Sequence, residues 1–436
     1  MKRMISVLTL AGFAAMAWAQ STTTSDNALA DQVKELAANA SKLKISGYAV
    51  GAESFSPADW QAKSLDYVDV LNKQQKNGSF ARMMLTYDSK LGGFNSRFEY
   101  DPNNATIIAM KYAEAYAKLF DAQVLVGAGM LRDTDFAYKS QVASDFNTNL
   151  FTGAINTNAG FPAGTPYSNS SYVFNGGKWA ATGGFFSGQQ GEEVLYKPSF
   201  AQGLELGLVS NSQTTGNGAV YLGNITSSLS YLAAYTMKDL GDIKVGYTGA
   251  ANSNSWSNFF VTVDAAPAQV SALKVSLSLE SLNISVDKGD GQSHSSMNLF
   301  ATAGYDFSSL GAKGLWLGED FGMFTSASTF GILTEDKPGV SSSTRLQYTF
   351  ANVAPSFNII PMLTYRVFDY MGTSTVGTNP GSGFFSAGSY SGIEPAVQIV
   401  AGPATFAFGW GHYMGTTINN AQPAADVISV GTLYAY

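Results

Sequence analysis

From about residue 42 to its last residue, the 436-residue chain keeps apolar and polar residues in alternation. Leu273, Val275, Leu277 and Leu279 alternate with Lys274, Ser276, Ser278 and Glu280. Ala81, Met83, Leu85 and Tyr87 alternate with Arg82, Met84 and Thr86, and Phe94, Phe98 and Tyr100 with Asn95, Arg97 and Glu99. Leu346, Tyr348 and Phe350 stand against Arg345, Gln347 and Thr349. Ile393, Val397 and Ile399 stand against Glu394 and Gln398, and Phe406, Phe408 and Trp410 against Ala407, Gly409 and Gly411. A period of two is that of a strand with unlike faces. Carried along the chain it gives about 18 strands. Their expected spans are 42–52, 79–87, 92–100, 106–119, 123–130, 192–199, 203–210, 227–237, 243–251, 257–265, 272–283, 297–307, 314–325, 343–352, 357–370, 393–401, 404–413 and 425–436. In 106–119 the apolar face is ambiguous, because Tyr112 and Tyr116 share a side with Glu114 and Lys118.

The connections sort by length. Those at 88–91, 120–122, 200–202, 238–242, 266–271, 308–313, 353–356 and 402–403 are short. Those that alternate with them, 53–78, 131–191, 211–226, 284–296, 326–342, 371–392 and 414–424, are longer and polar; only 101–105 and 252–256 break the rule. Short turns at one end and long loops at the other are the mark of a transmembrane barrel. A soluble sandwich has no reason to sort its loops. In hydrocarbon every backbone N–H and C=O must be paired within the protein, so strands span only as a closed ring. Charge is then excluded from one parity of each strand, which accounts for a charged fraction of only 13%. Tyr87, Tyr100, Phe120, Tyr196, Phe200, Tyr235, Phe307, Tyr365, Tyr434 and Tyr436 fall near strand ends, where interfacial aromatic girdles belong.

The expected fold is therefore all-β, an antiparallel up-and-down transmembrane barrel of about 16–18 strands with a short N-terminal helix. The helix is expected over 26–41, where Leu29, Val33, Leu36, Ala37 and Ala40 share a face and Asp26 or Asn27 caps it. Before it, Lys2 and Arg3, an apolar run from Met4 to Met16 and Ala17-Trp18-Ala19 read as a secretory signal cleaved before Gln20. The chain thus divides into a signal peptide at 1–19, a periplasmic linker and helix at 20–41 and the barrel at 42–436. No later stretch has the run of apolar residues a membrane-spanning helix needs.

Composition excludes several functions. With no Cys there are no thiolate metal sites or disulfides. A net charge of −7 disfavours nucleic acid as a partner. The two histidines, His294 and His412, sit in no recognisable catalytic motif, and neither a Gly-x-Ser-x-Gly elbow nor a P-loop is present. DKGDGQ (287–292) is not a full EF-hand loop. No enzyme activity, cofactor or metal is expected.

The polar parity, turned inward, places Arg82, Arg97, Glu99, Glu205, Lys244, Asp264, Lys274, Glu280, Asp306, Asp320, Arg345, Arg366 and Glu394 on the wall of a pore. Mixed signs imply weak charge selectivity. The strongest candidates are Arg82, Arg97 and Glu99 on neighbouring strands, and Arg345 with Arg366 on another pair. The connection 131–191 is far longer than an ordinary loop. It is rich in Asn, Gly, Ser and Thr yet carries aromatics such as Phe151, Phe161, Tyr172 and Trp179. It is expected to fold into the barrel and narrow it, a surface cap being the alternative.

The chain ends Val430-Gly431-Thr432-Leu433-Tyr434-Ala435-Tyr436, with a terminal aromatic, another two residues earlier and a Gly three before that. With KISGYAVG (44–51) and AYAKLFDAQVLVGAGML (115–131), it resembles the general porins of Gram-negative-type outer membranes. The resemblance covers most of the chain after the signal as architecture. It departs from the smaller trimeric porins in having about two more strands and in lacking an acidic signature in its long loop. It implies passive diffusion of small polar solutes and ions, contact with outer-membrane lipid, and a homotrimer. It also implies handling by the barrel-assembly machinery through Tyr434 and Tyr436. A barrel adhesin acting through its loops, and a substrate-specific channel, are the competing readings.

Overall fold

The computed structural model describes residues 43–55, 78–100, 108–130, 190–211, 229–249, 256–284, 294–325, 339–370, 389–415 and 424–436. The expected signal, the helix over 26–41 and residues 131–189 of the long connection lie outside them. Within them the chain forms β1 (Leu43–Phe55), β2 (Gly78–Asp88), β3 (Gly92–Tyr100), β4 (Ile108–Leu119), β5 (Val124–Met130), β6 (Gln190–Tyr196), β7 (Leu204–Asn211), β8 (Leu229–Met237) and β9 (Gly241–Gly249). There follow β10 (Trp256–Ala265), β11 (Leu273–Ile284), β12 (His294–Asp306), β13 (Leu315–Phe324), β14 (Gly339–Tyr348), β15 (Phe350–Ala354), β16 (Phe357–Tyr370), β17 (Ser389–Ala401), β18 (Ala404–Gly415) and β19 (Ala424–Ala435). β14 and β15 both pair with β16 and are one strand interrupted at Thr349. The ring therefore has 18 strands. Each pairs antiparallel with its sequence neighbours, and β1 closes on β19. Strand positions agree with the alternation read from the sequence to within four residues at each end.

The ring is inside-out relative to a soluble protein. On β11, Leu277 and Leu279 are each 45% exposed, while Ser276 and Ser278 between and beside them are 1% and 0% exposed. Side chains on the inner face of a closed sheet converge and shield one another; those on the outer face diverge. The apolar parity is therefore the outer one, and Met83, Val126, Leu206, Leu346, Leu363 and Phe408 share its exposure.

β4 carries an irregularity that changes parity. Arg97 pairs with Tyr112 and Phe98 with Met110, so Lys111 is an extra residue, a β-bulge. Glu114 and Tyr116 thus share a face, whereas below the bulge Met110 and Ile108 take the outer face despite their even numbers. This is why 106–119 has no single apolar parity.

The seam is closed by the last residue. Gly47 and Tyr436 exchange two backbone hydrogen bonds of 3.0 Å, and the Tyr436 hydroxyl donates to the Arg82 carbonyl, 3.1 Å away. A Cβ on Gly47 would lie 2.1 Å from that carbonyl and 2.7 Å from the Tyr436 hydroxyl, so only glycine admits the ring there.

Candidate functional site

The inner face holds the chemistry. At β2–β3, one carboxylate oxygen of Glu99 serves two guanidinium groups. Arg82 donates to Glu99 Oε1 from Nε at 2.9 Å, with Nη2 at 2.8 Å, and Arg97 donates from Nε at 2.7 Å and from Nη2. The Arg82 guanidinium also lies 5.1 Å from the centre of the Tyr48 ring, a cation–π contact. All three charges are shielded, at 12%, 15% and 5% side-chain exposure, so the cluster keeps one net positive charge in a poorly hydrated place. These are three of the sequence candidates, brought together by antiparallel register: Arg82 stands opposite Glu99, and Arg97 is two residues along the same strand.

Next to this cluster the sign reverses. Glu114 on β4 and Glu193 on β6 are both buried and converge over Gly127 on the strand between them. A Cβ on Gly127 would meet Glu114 Oε1 at 2.7 Å and Glu193 Cγ at 2.9 Å. Neither acid was among the sequence candidates. The bulge at Lys111 hid the parity of Glu114, and Glu192-Glu193 gives no sign of which acid turns inward.

Around the other side the inner wall is a continuous polar row. Asp264, Ser276, Thr302, Asp320, Ser343, Arg366 and Gly392 stand opposite one another in turn across β10 to β17. Asp264 is bound by Lys244 Nζ at 2.8 Å and by the Ser276 hydroxyl, and the Thr302 hydroxyl donates to Asp320. One step along, Lys274, Gly304, Gly318, Arg345, Thr364 and Glu394 form a second row. Arg345 donates from Nε to Thr364 Oγ1 at 2.9 Å and has no exposed surface. Lys274, in contrast, is exposed. Arg345 and Arg366 are diagonal neighbours, paired with Thr364 and Ser343 respectively. Glu280 stands opposite Phe260; the side chains of Glu280 and Arg366 lie outside the described residues. Glu205 carries a 3.0 Å ion pair with Lys197, and Asp306 caps the short 3-10 helix at Phe307–Leu310.

A third inner row departs from the expectation that the inward parity is polar. Leu195, Gly207, Leu232, Gly246 and Phe260 stand opposite one another from β6 to β10. Leu232 and Phe260 are 4% and 0% exposed, with Val209 beside them at 0%. Phe260 packs against Gly246, where a Cβ would sit 2.3 Å from the ring. The alternation of glycine and bulky side chains lets three strands' worth of apolar groups fit one stripe. The described inner wall thus has a cationic sector, an acidic sector, an apolar stripe and a mixed polar half. Among the described residues no group of three or more His, Cys, Asp or Glu could hold a metal ion.

Comparisons with known proteins come from structure. No protein-family model and no curated protein matches the chain. It is similar to the Pseudomonas aeruginosa protein OccK10 (OpdN), at 11% identity and a TM-score of 0.46, over 91% of this chain and 98% of that one. It is also similar to the outer membrane channel DcaP of Acinetobacter baumannii, at 8% identity and a TM-score of 0.45, over 90% and 97%. A third is Wzi of Escherichia coli, an outer membrane protein involved in group 1 capsule assembly, at 6% identity and a TM-score of 0.47, over 96% and 90%. At this level nothing of what those proteins bind or carry passes to the chain.

Proposed function

We propose that the chain is an outer-membrane porin, a barrel through which small polar solutes and ions pass by diffusion. The observation that supports it most is the inverted closed ring: apolar residues exposed outside, charged residues inside, and no free sheet edge. Nine of the sequence candidates, Arg82, Arg97, Glu99, Lys274, Glu280, Asp320, Arg345, Arg366 and Glu394, are then positions on the passage wall. Contact with the assembly machinery through Tyr434 and Tyr436, both more than half exposed, belongs to the same proposal. The mechanism is sieving by the wall together with its electrostatics. A narrow passage at the level of Arg345, which has no exposed surface, belongs to the same proposal. The folded protein, added to a planar lipid bilayer, is expected to give stable conductance steps that are enlarged by Arg345→Ala. Correctly folded protein without conductance would refute the porin reading.

The apolar stripe Leu195–Leu232–Phe260 favours a second reading, a channel selective for solutes with an apolar face. In that case one solute class would block the current saturably. A non-selective pore would show no such block.

A further inference from the structure

The short turns, which a barrel of this kind turns toward water, are apolar at their tips. Leu91, Phe120, Phe200 and Leu310 stand in the turns after β2, β4, β6 and β12 and are between 70% and 83% exposed. Leu240 and Val270 hold the same place after β8 and β10, as does Val353 at the end of the interrupted strand β14–β15, and all three are exposed. Seven of the eight short turns thus carry a bulky apolar side chain in the open. The eighth, Gly402-Pro403, lacks one. There Ala435 donates its N–H to the Pro403 carbonyl at 2.9 Å and brings Tyr436 alongside, itself 54% exposed. Three of the tips pair the apolar residue with an exposed charge: Lys90 precedes Leu91, Asp121 follows Phe120 and Asp239 precedes Leu240.

Two further observations say what meets this rim. The apolar outer face continues into it through aromatic contacts at the strand ends: Tyr87 stacks on Phe94, Tyr305 meets Phe307 edge-on with ring centres 4.8 Å apart, and Tyr348 meets Phe350 at 4.7 Å. Backbone pairing also continues past the strand ends and ties turn to turn. Lys197 N–H donates to the Gln123 carbonyl at 2.7 Å, Ala266 to Leu240 at 2.9 Å, and Gly402 to Ser356 at 3.0 Å. A turn in water can leave such groups to the solvent, whereas a turn at the edge of hydrocarbon must pair them. Apolar side chains in water cost free energy in proportion to their area, and a set repeated round a whole rim is not the scatter of single residues that any surface carries. A globular partner would cover one arc of the rim. The bilayer surrounds the ring and meets every turn alike. We propose that the short-turn rim is a lipid-anchoring collar. Its apolar residues enter the boundary between headgroups and acyl chains of the nearer leaflet, their charged neighbours stay in water, and the collar sets how deep the barrel sits. This rests on the reading of the outer face as a membrane face.

The chain has no cysteine, so an introduced one reports alone. Leu91→Cys, Phe200→Cys and Leu310→Cys, each carrying a fluorescent label, are compared with Lys90→Cys and Asp239→Cys in the full chain folded into phosphatidylcholine vesicles. Labels at the three apolar positions are expected to be quenched several-fold more by lipid brominated near the top of its chains, and several-fold less by aqueous iodide, than labels at the two charged ones. Without any label, Leu91, Phe200 and Leu310 replaced together by Ser should raise the rate of urea unfolding from the vesicles several-fold. The proposal is overturned if iodide quenches all five positions alike, as it would if the apolar tips were a docking face for a protein absent from the vesicles, or if the triple variant unfolds at the unaltered rate. Failure of the membrane reading would appear separately, as folded chain that does not enter the vesicles at all.

Discussion

Phe120, Asp121 and Ala122 follow one another with φ of 52°, 54° and 64°, three left-handed residues in the turn between β4 and β5, none of them glycine. Such backbone costs roughly 1–2 kcal/mol per L-residue. Ala122 has the least to lose, so Ala122→Gly is expected to stabilise the barrel by about 0.5–1 kcal/mol once the greater chain entropy of glycine is counted. Urea unfolding in lipid vesicles measures it, and a destabilised variant would show that this turn is not strained in the folded protein. The shared carboxylate of Glu99 makes the second prediction at this scale. Glu99→Gln removes a carboxylate that binds both Arg82 and Arg97, and so deepens the positive sector. The reversal potential in a salt gradient is expected to shift toward anion preference. An unmoved potential would take this cluster out of the ion path.

At the scale of the strand, one bulge decides what faces where. Met110 and Ile108 are 46% and 65% exposed on the outer face only because Lys111 is unpaired in the ladder with β3. Deleting Lys111 turns that stretch by one residue and sends both apolar side chains toward the polar wall. A loss of about 2 kcal/mol or more is expected from the apolar area moved, visible as a lower temperature for loss of the compact band in heat-modified gel migration. An unchanged temperature would mean that β4 re-pairs without the bulge. The same strand shows the limit of what alternation reveals. Regular strands such as β11 can be read residue by residue from period alone. Glu114 could not, since a bulge has no composition of its own and only register exposes it. Adjacent acids defeat parity for the same reason: nothing in Glu192-Glu193 says which member turns inward.

For the molecule as a whole, the ring and nearly all of its strands were legible because the bilayer imposes one rule, closed pairing with an apolar exterior, on every strand alike. The inner wall was legible in its charges but not in its arrangement. Arg82, Arg97 and Glu99 could be grouped because they lie across one short turn. The stripe from Leu195 to Phe260 draws on five strands over 66 positions of sequence, and an inward leucine looks no different from an outward one. Glu319, on the parity of the exposed Leu317 in β13, escapes the reading because a carboxylate on an outer face contradicts the rule that makes the rest readable.

The seam also says something about time. Tyr48 pairs with Ala435, and the final tyrosine lies across Gly47. The first strand therefore cannot find its second partner until the last has been synthesised and delivered. Until then β1 presents an open edge able to pair with the wrong strand or the wrong chain. Contacts this distant in sequence form slowly. The interval between emergence of β1 and arrival of Tyr436 is the period in which this chain is most in need of an escort.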